Sequence, residues 1–172
     1  MIFLGPLRAA VRSASWFAAL GESLTEGDIA EAKVYGGVDR VERVASWPEA
    51  EAFLQSPTTS LDWWNREETL RKSLLAQAEQ NYPERALWTS LTELTTEVGD
   101  LVHGKAATAA ARLGNAARAS IHVAAGSASQ AVYQLAVARI AGAENSVFES
   151  KFRLFAAGRW PLGISDGRLV LF

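Results

Sequence analysis

Four stretches of this sequence carry residue types at spacings that could do chemistry, and each is read with the element that would have to hold it. Gly99-Asp100-Leu101-Val102-His103-Gly104-Lys105-Ala106 comes within one residue of a phosphate-binding loop, where glycines let backbone N–H groups curl round phosphates and a Lys-Ser/Thr pair meets the terminal phosphate and Mg²⁺. Ala106 stands where that hydroxyl is needed, and a helical pattern precedes the stretch instead of a strand, so it reads as a helix C-cap and turn. Gly163-Ile164-Ser165-Asp166-Gly167 has the letters of a hydrolase nucleophile elbow, which needs a strand before the serine and a helix after it. An apolar, strand-like run follows instead and both histidines lie upstream, so a hairpin turn is the better reading.

Glu93, Glu97 and Asp100 share a helical face and could in principle chelate a metal. That face lies nearly opposite the Leu87, Leu91, Leu94, Val98 and Leu101 stripe, so it is expected to point to water and no metal site is assigned. Asn115, Arg118 and His122 recur at steps of three and four on another helical face, where an Arg-His pair could bind an anion or cleave RNA. The Arg118 to His122 interval is one residue short of the helical nuclease spacing, and two unassisted side chains make no active site. The expectation there is a surface or interface helix.

Composition narrows the field further. The chain has 172 residues, no cysteine and two histidines, His103 and His122. That excludes thiol nucleophiles, Cys-rich zinc sites, iron–sulfur clusters and CxxC redox chemistry; no cofactor is expected. A net charge of -2 gives no global basic field for nucleic acid. The average hides an asymmetry: residues 1–105 hold ten Lys/Arg against sixteen Asp/Glu, and residues 106–172 hold seven against three. Halves that pack together with complementary fields explain this better than a nucleic-acid surface. A weaker alternative would use Arg112, Arg118 and Arg139 for nucleic-acid binding.

The apolar start is interrupted by Pro6, Arg8 and Arg12, no signal peptide is evident, and no window reaches membrane-spanning length. The expectation is a soluble, cytoplasmic protein with no membrane association. Six tryptophans, at 16, 47, 63, 64, 88 and 160, are many for this length. Trp63 and Trp64 lie 100° apart on a helix and cannot both face one core. That pair and Arg159-Trp160-Pro161 are the leading interaction anchors, with packing under a loop or the C-terminal hairpin as the structural alternative.

The elements that must position these residues are mostly helical. Apolar periodicity predicts helices over 6–20 and 24–35, the second opened by Thr25 and closed by Gly36-Gly37. Residues 38–45 fit either a helical turn or a short edge strand. Ser46-Trp47-Pro48-Glu49 reads as a capping box for a short helix to about 55, broken by Ser56-Pro57-Thr58-Thr59. A helix over 61–80 is expected to turn Leu61, Trp64, Leu70, Leu74 and Leu75 inward and Arg66, Glu67, Arg71 and Lys72 outward. Further helices are expected over 83–103, ended by Gly104, and over 106–125, 127–141 and 144–157, the last closed by Gly158. Asp166-Gly167 signals a C-terminal hairpin.

The fold expected is one globular domain over 1–172, mainly α, a bundle of six or seven helices with a small C-terminal β-hairpin that could recruit residues 2–4 or 41–45 as a further strand. The leading functional expectation is a non-enzymatic protein-interaction or regulatory module, binding another protein or a second copy of itself. The alternative is a small-molecule or anion-binding protein or enzyme with an inter-helix pocket near Arg118 and His122. The candidate binding residues are Trp63, Trp64, Arg118, His122, Arg159 and Trp160.

Overall fold

The computed structural model describes residues 2–56 and 59–172. It is mainly α, with α1 (Gly5–Ser13), α2 (Glu26–Gly36), α3 (Trp47–Leu54), α4 (Leu61–Asn81), α5 (Glu84–Leu113), α6 (Ile121–Ile140) and α7 (Val147–Ala156). A 3-10 helix (Asn115–Ser120) joins α5 to α6, and three short strands complete the chain: β1 (Arg40–Arg43), β2 (Pro161–Ser165) and β3 (Arg168–Leu171). Pro57 and Thr58, at the break expected after α3, lie outside the described residues.

Local chemistry explains most boundaries. Thr25 and Asp28 form a reciprocal capping box at the start of α2, and Gly37 closes that helix in the left-handed conformation. At α3 the box is only half made. Glu49 reaches back to the Ala45 N–H at 3.0 Å and accepts from the Ser46 hydroxyl, whose oxygen makes no cap bond to the helix N–H groups. The first helix is shorter than its periodicity implies, because Trp16 and Phe17 are drawn into the core by a turn. The Trp16 indole N–H caps the Val11 carbonyl at 2.8 Å, and Ser15 N–H bonds the Ala156 carbonyl at the end of α7. Gly158 allows this docking: a Cβ there would stand 2.7 Å from Ala19 N, and its φ of +91° favours glycine.

The alanine-rich region also divides elsewhere than expected. Gly104 and Gly126 lie inside α5 and α6, while the chain breaks at Gly114, whose φ is +103°. A glycine in a helix costs only about 1 kcal/mol, which a long packed face absorbs. Small side chains such as Ala106, Ala109, Ala110, Ala124 and Ala128 let α5 and α6 pack closely, and that pair forms the centre of the main core.

At the C-terminus, Asp166 and Gly167 both have positive φ, giving the hairpin turn its sequence promises. β2 and β3 pair antiparallel, and β1 adds parallel to β3 with Arg40 opposite Arg168 and Arg43 opposite Leu171. The ambiguous 38–45 segment therefore supplies the third strand. A second, smaller core of Ala32, Tyr35, Trp63, Leu154, Ile164, Leu169 and Leu171 fills the space between this sheet, α2, α4 and α7. Four ion pairs, Glu67–Lys151, Glu31–Arg153, Asp28–Arg159 and Glu42–Arg168, join the acidic first part of the chain to its basic remainder. Among the described residues no helix is long and apolar enough to cross a membrane.

Candidate functional site

The orientation of α4 decides where the site forms. Its buried residues are Trp63, Glu67, Leu74 and Ala78: Leu74 is inward as expected and Leu70 and Leu75 pack against the core, but at the start of the helix the buried side lies one position round from the expected Leu61 and Trp64. Leu61 is 74% exposed and Trp64 40%, whereas Glu67, expected outward, is buried. A buried carboxylate needs a cation and hydrogen bonds to offset its lost hydration. Three other helices provide them. Lys151 of α7 donates to Glu67 Oε1 at 2.5 Å and to Gln134 Oε1 at 2.9 Å. Gln134 of α6 donates to Glu67 Oε1 at 2.6 Å, and the Tyr35 hydroxyl of α2 donates to Glu67 Oε2 at 2.7 Å. The Lys151 ammonium also stands 5.6 Å from the centre of the Tyr35 ring.

The electrostatics follow from this closure. Burial, reinforced by the neighbouring Glu67 carboxylate, raises the Tyr35 hydroxyl well above its ordinary range, so it stays a donor. Burial lowers the Lys151 ammonium, and the Glu67 carboxylate opposes that shift. Both Glu67 oxygens, the Gln134 amide and the Tyr35 hydroxyl are engaged within the cluster.

Above this cluster lies a cleft of about 230 Å³, lined by Val34, Tyr35, Gly36 and Gly37 from α2 and its C-terminus, Trp63, Arg66, Glu67 and Leu70 from α4, and Val147 from α7. Trp64 packs edge-on against Trp63 with ring centres 5.0 Å apart. It extends the apolar lining to the outer face of α4, where Leu61 lies one turn earlier. Val34, 56% exposed, forms the opposite rim. Arg66 has no ion pair or hydrogen bond among the described residues.

The other sequence candidates go to different places. Trp63 lines the cleft and Trp64 adjoins it, but Arg159 and Trp160 are buried, which removes them as surface anchors. Arg159 bonds Asp28 at 3.1 Å and the carbonyls of Ala19, Glu22 and Ser23, each at 2.7 Å. Trp160 stacks on Trp47 within the core. Arg118 and His122 are exposed but do not share one helix, since Asn115 and Arg118 belong to the 3-10 segment and His122 to α6. Neither lines the cleft, nor the apolar cavity between α5, α6 and the Trp47–Trp160 stack. That cavity, about 20 Å³, has room for about one water molecule.

Of the three basic residues considered for nucleic acid, Arg112 bonds the Phe17 carbonyl and Arg139 pairs with Glu149. The phosphate-loop lookalike is interior to α5, and Ser165 is a buried strand residue beside the hairpin turn. Glu97 is not simply solvated, because Arg8 and Arg12 of α1 both bond it. Among the described residues, no group of three or more His, Cys, Asp or Glu side chains is placed to hold a metal.

Sequence reasoning missed Tyr35, Glu67, Gln134 and Lys151. A signal was present: Lys151 lies on the Phe148, Phe152, Phe155 stripe of α7, and Glu67 falls one turn after Trp63. A charge on an apolar stripe implies a buried partner. Comparison with family models, curated proteins and solved structures gives no match to this chain.

Proposed function

We propose that this protein is a non-enzymatic interaction module whose contact surface is the α2–α4 cleft and the adjoining face of α4. The partner is a protein segment that places an apolar side chain between Val34, Trp63 and Leu70 and a carboxylate on Arg66. The observation carrying this reading is the conjunction, in one cleft, of an exposed apolar rim with the Arg66 guanidinium, which has no ion pair or hydrogen bond among the described residues. An apolar anchor beside a charge-assisted contact is a recurrent basis of binding energy at protein interfaces. The buried cluster beneath supports a binding role over a catalytic one, because its acid, amide and phenol are already bonded to one another. It acts as a rigid floor.

Selection from a displayed peptide library tests the reading without knowledge of the natural partner. The expected outcome is a consensus with an acidic residue next to an aliphatic or aromatic one, whose binding is lost in Arg66→Glu and weakened at least tenfold in Trp64→Ala. Peptides bound equally by wild type and both variants would overturn it. A dimer that dissociates on Trp64→Ala, seen by light scattering, would overturn the separate-partner assignment in favour of a second copy.

A further inference from the structure

The two histidines of the chain are 19 residues apart in sequence, yet the fold brings them together. His103 sits on an exposed face of α5 and His122 on the first turn of α6, with ring centres 5.1 Å apart and planes inclined by 33°. Metal–nitrogen bonds of about 2.0–2.1 Å at tetrahedral angles place the centres of two imidazoles on one ion about 5 Å apart. The observed separation of the ring centres matches that of a chelating pair.

The geometry points to a two-histidine site for a divalent late transition metal such as Zn²⁺ or Cu²⁺, formed by His103 and His122 and separate from the α2–α4 cleft. Imidazole nitrogen is a favoured ligand for these ions and a poor one for Mg²⁺ or Ca²⁺. No third His, Cys, Asp or Glu joins the pair among the described residues, so water fills the remaining positions and the bound ion exchanges readily. Asp100, one turn before His103 on α5, adds a nearby negative charge that favours the cation. Arg118 and Lys105, both exposed, oppose it, and at physiological salt their effect is partly screened.

The site has a mechanical consequence. His103 and His122 flank the one irregular joint between α5 and α6, the Gly114 break and the 3-10 helix 115–120. An ion held by both rings closes that joint and favours the conformation in which the 3-10 helix is packed.

Calorimetric titration of the full chain with ZnCl₂ and CuCl₂ tests the proposal, with hydrogen exchange of the 115–120 amides as an independent readout. Both side chains are exposed, so His103→Ala and His122→Ala are expected to fold. The expected result is one ion per chain, tighter for Cu²⁺ than for Zn²⁺. Each single substitution should weaken binding at least tenfold, and the double variant little further, because one remaining imidazole lacks the advantage of an intramolecular second contact. Zn²⁺ should slow exchange at 115–120 only in the wild type. Equal binding by wild type and the double variant, or dependence on one histidine alone, would overturn the proposal and leave the rings as a tilted contact pair.

Discussion

Asp28–Arg159 and Glu67–Lys151 are both almost wholly withdrawn from water, yet the surrounding chain satisfies them in different ways. Arg159 divides its donors between one carboxylate and three main-chain carbonyls, those of Ala19, Glu22 and Ser23. Its planar fork therefore fixes the path of the connection between α1 and α2. Lys151 bonds side chains instead of main-chain carbonyls, joining Glu67 and Gln134 beside the Tyr35 ring. That second cluster fixes the rotation of four helices about their axes. It holds Glu67 inward and leaves Trp64 and Leu61 exposed beside the cleft. The first pair determines where a loop runs, and the second which face of α4 is offered to a partner.

Arg159→Ala should have the largest effect, since it strands Asp28 and three carbonyls together. A loss toward the upper end of roughly 3–5 kcal/mol is expected in urea unfolding. Arg159→Lys should recover only a minor part, because a point-like ammonium cannot reproduce the fork; full recovery would show that charge alone matters there. Lys151→Ala should cost roughly 3–4 kcal/mol, by leaving Glu67 charged and buried. Replacing the whole cluster at once, Tyr35→Phe with Glu67→Leu, Gln134→Leu and Lys151→Met, should restore stability to within about 2 kcal/mol of wild type. A combined loss equal to the sum of the single losses would contradict the view that the cluster acts as a unit.

Tyr35 provides a spectroscopic check on the same cluster. Its raised value means that stability tied to its proton is fully present below pH 10 and is lost as pH rises through the folded value. One of the three tyrosines should therefore resist ionisation at 295 nm past pH 10 until the protein unfolds, and Tyr35→Phe should abolish that delayed component. The smallest effect is expected at the surface pair of α1 and α5. Arg12, assisted by Arg8, holds the Glu97 carboxyl below its ordinary 4.5. Its contribution is complete above that pH and drains away as pH falls through the lowered value, so Glu97→Gln should flatten the acid limb of thermal stability below pH 4.5.

The comparison also shows what could be read from the residues and what could not. The mainly α fold, the Thr25 and Gly37 boundaries of α2, the Asp166-Gly167 hairpin and the Gly158 stop are local chemistry, and each is where the residues place it. Periodicity treats charge as solvated and so places Glu67 outward, while Arg159, in the tail after α7, reads as an interaction anchor or as packed under the hairpin. Their partners lie far along the chain, Asp28 131 positions from Arg159 and Lys151 84 from Glu67, where no window reaches. The same reasoning put Trp64 on the core side of α4 while also naming the Trp63–Trp64 pair an interface anchor. Only Glu67's need for a buried cation decides which tryptophan turns inward. Gly104 misled for a different reason: a glycine marks a stop when its neighbours have nothing to pack against, and α5 is packed along both its Leu/Val and its alanine segments.

The most direct test of the cleft as a partner-binding surface is the affinity of a selected acidic–apolar peptide, measured in parallel on Arg66→Glu and Arg85→Glu at the same ionic strength. The two substitutions change net charge equally, but Arg66 lines the cleft and Arg85 is an exposed residue of α5. Loss of binding in Arg66→Glu with Arg85→Glu unchanged is the expected result. Equal losses in both would show that the peptide responds to overall charge and would contradict the assignment of the cleft.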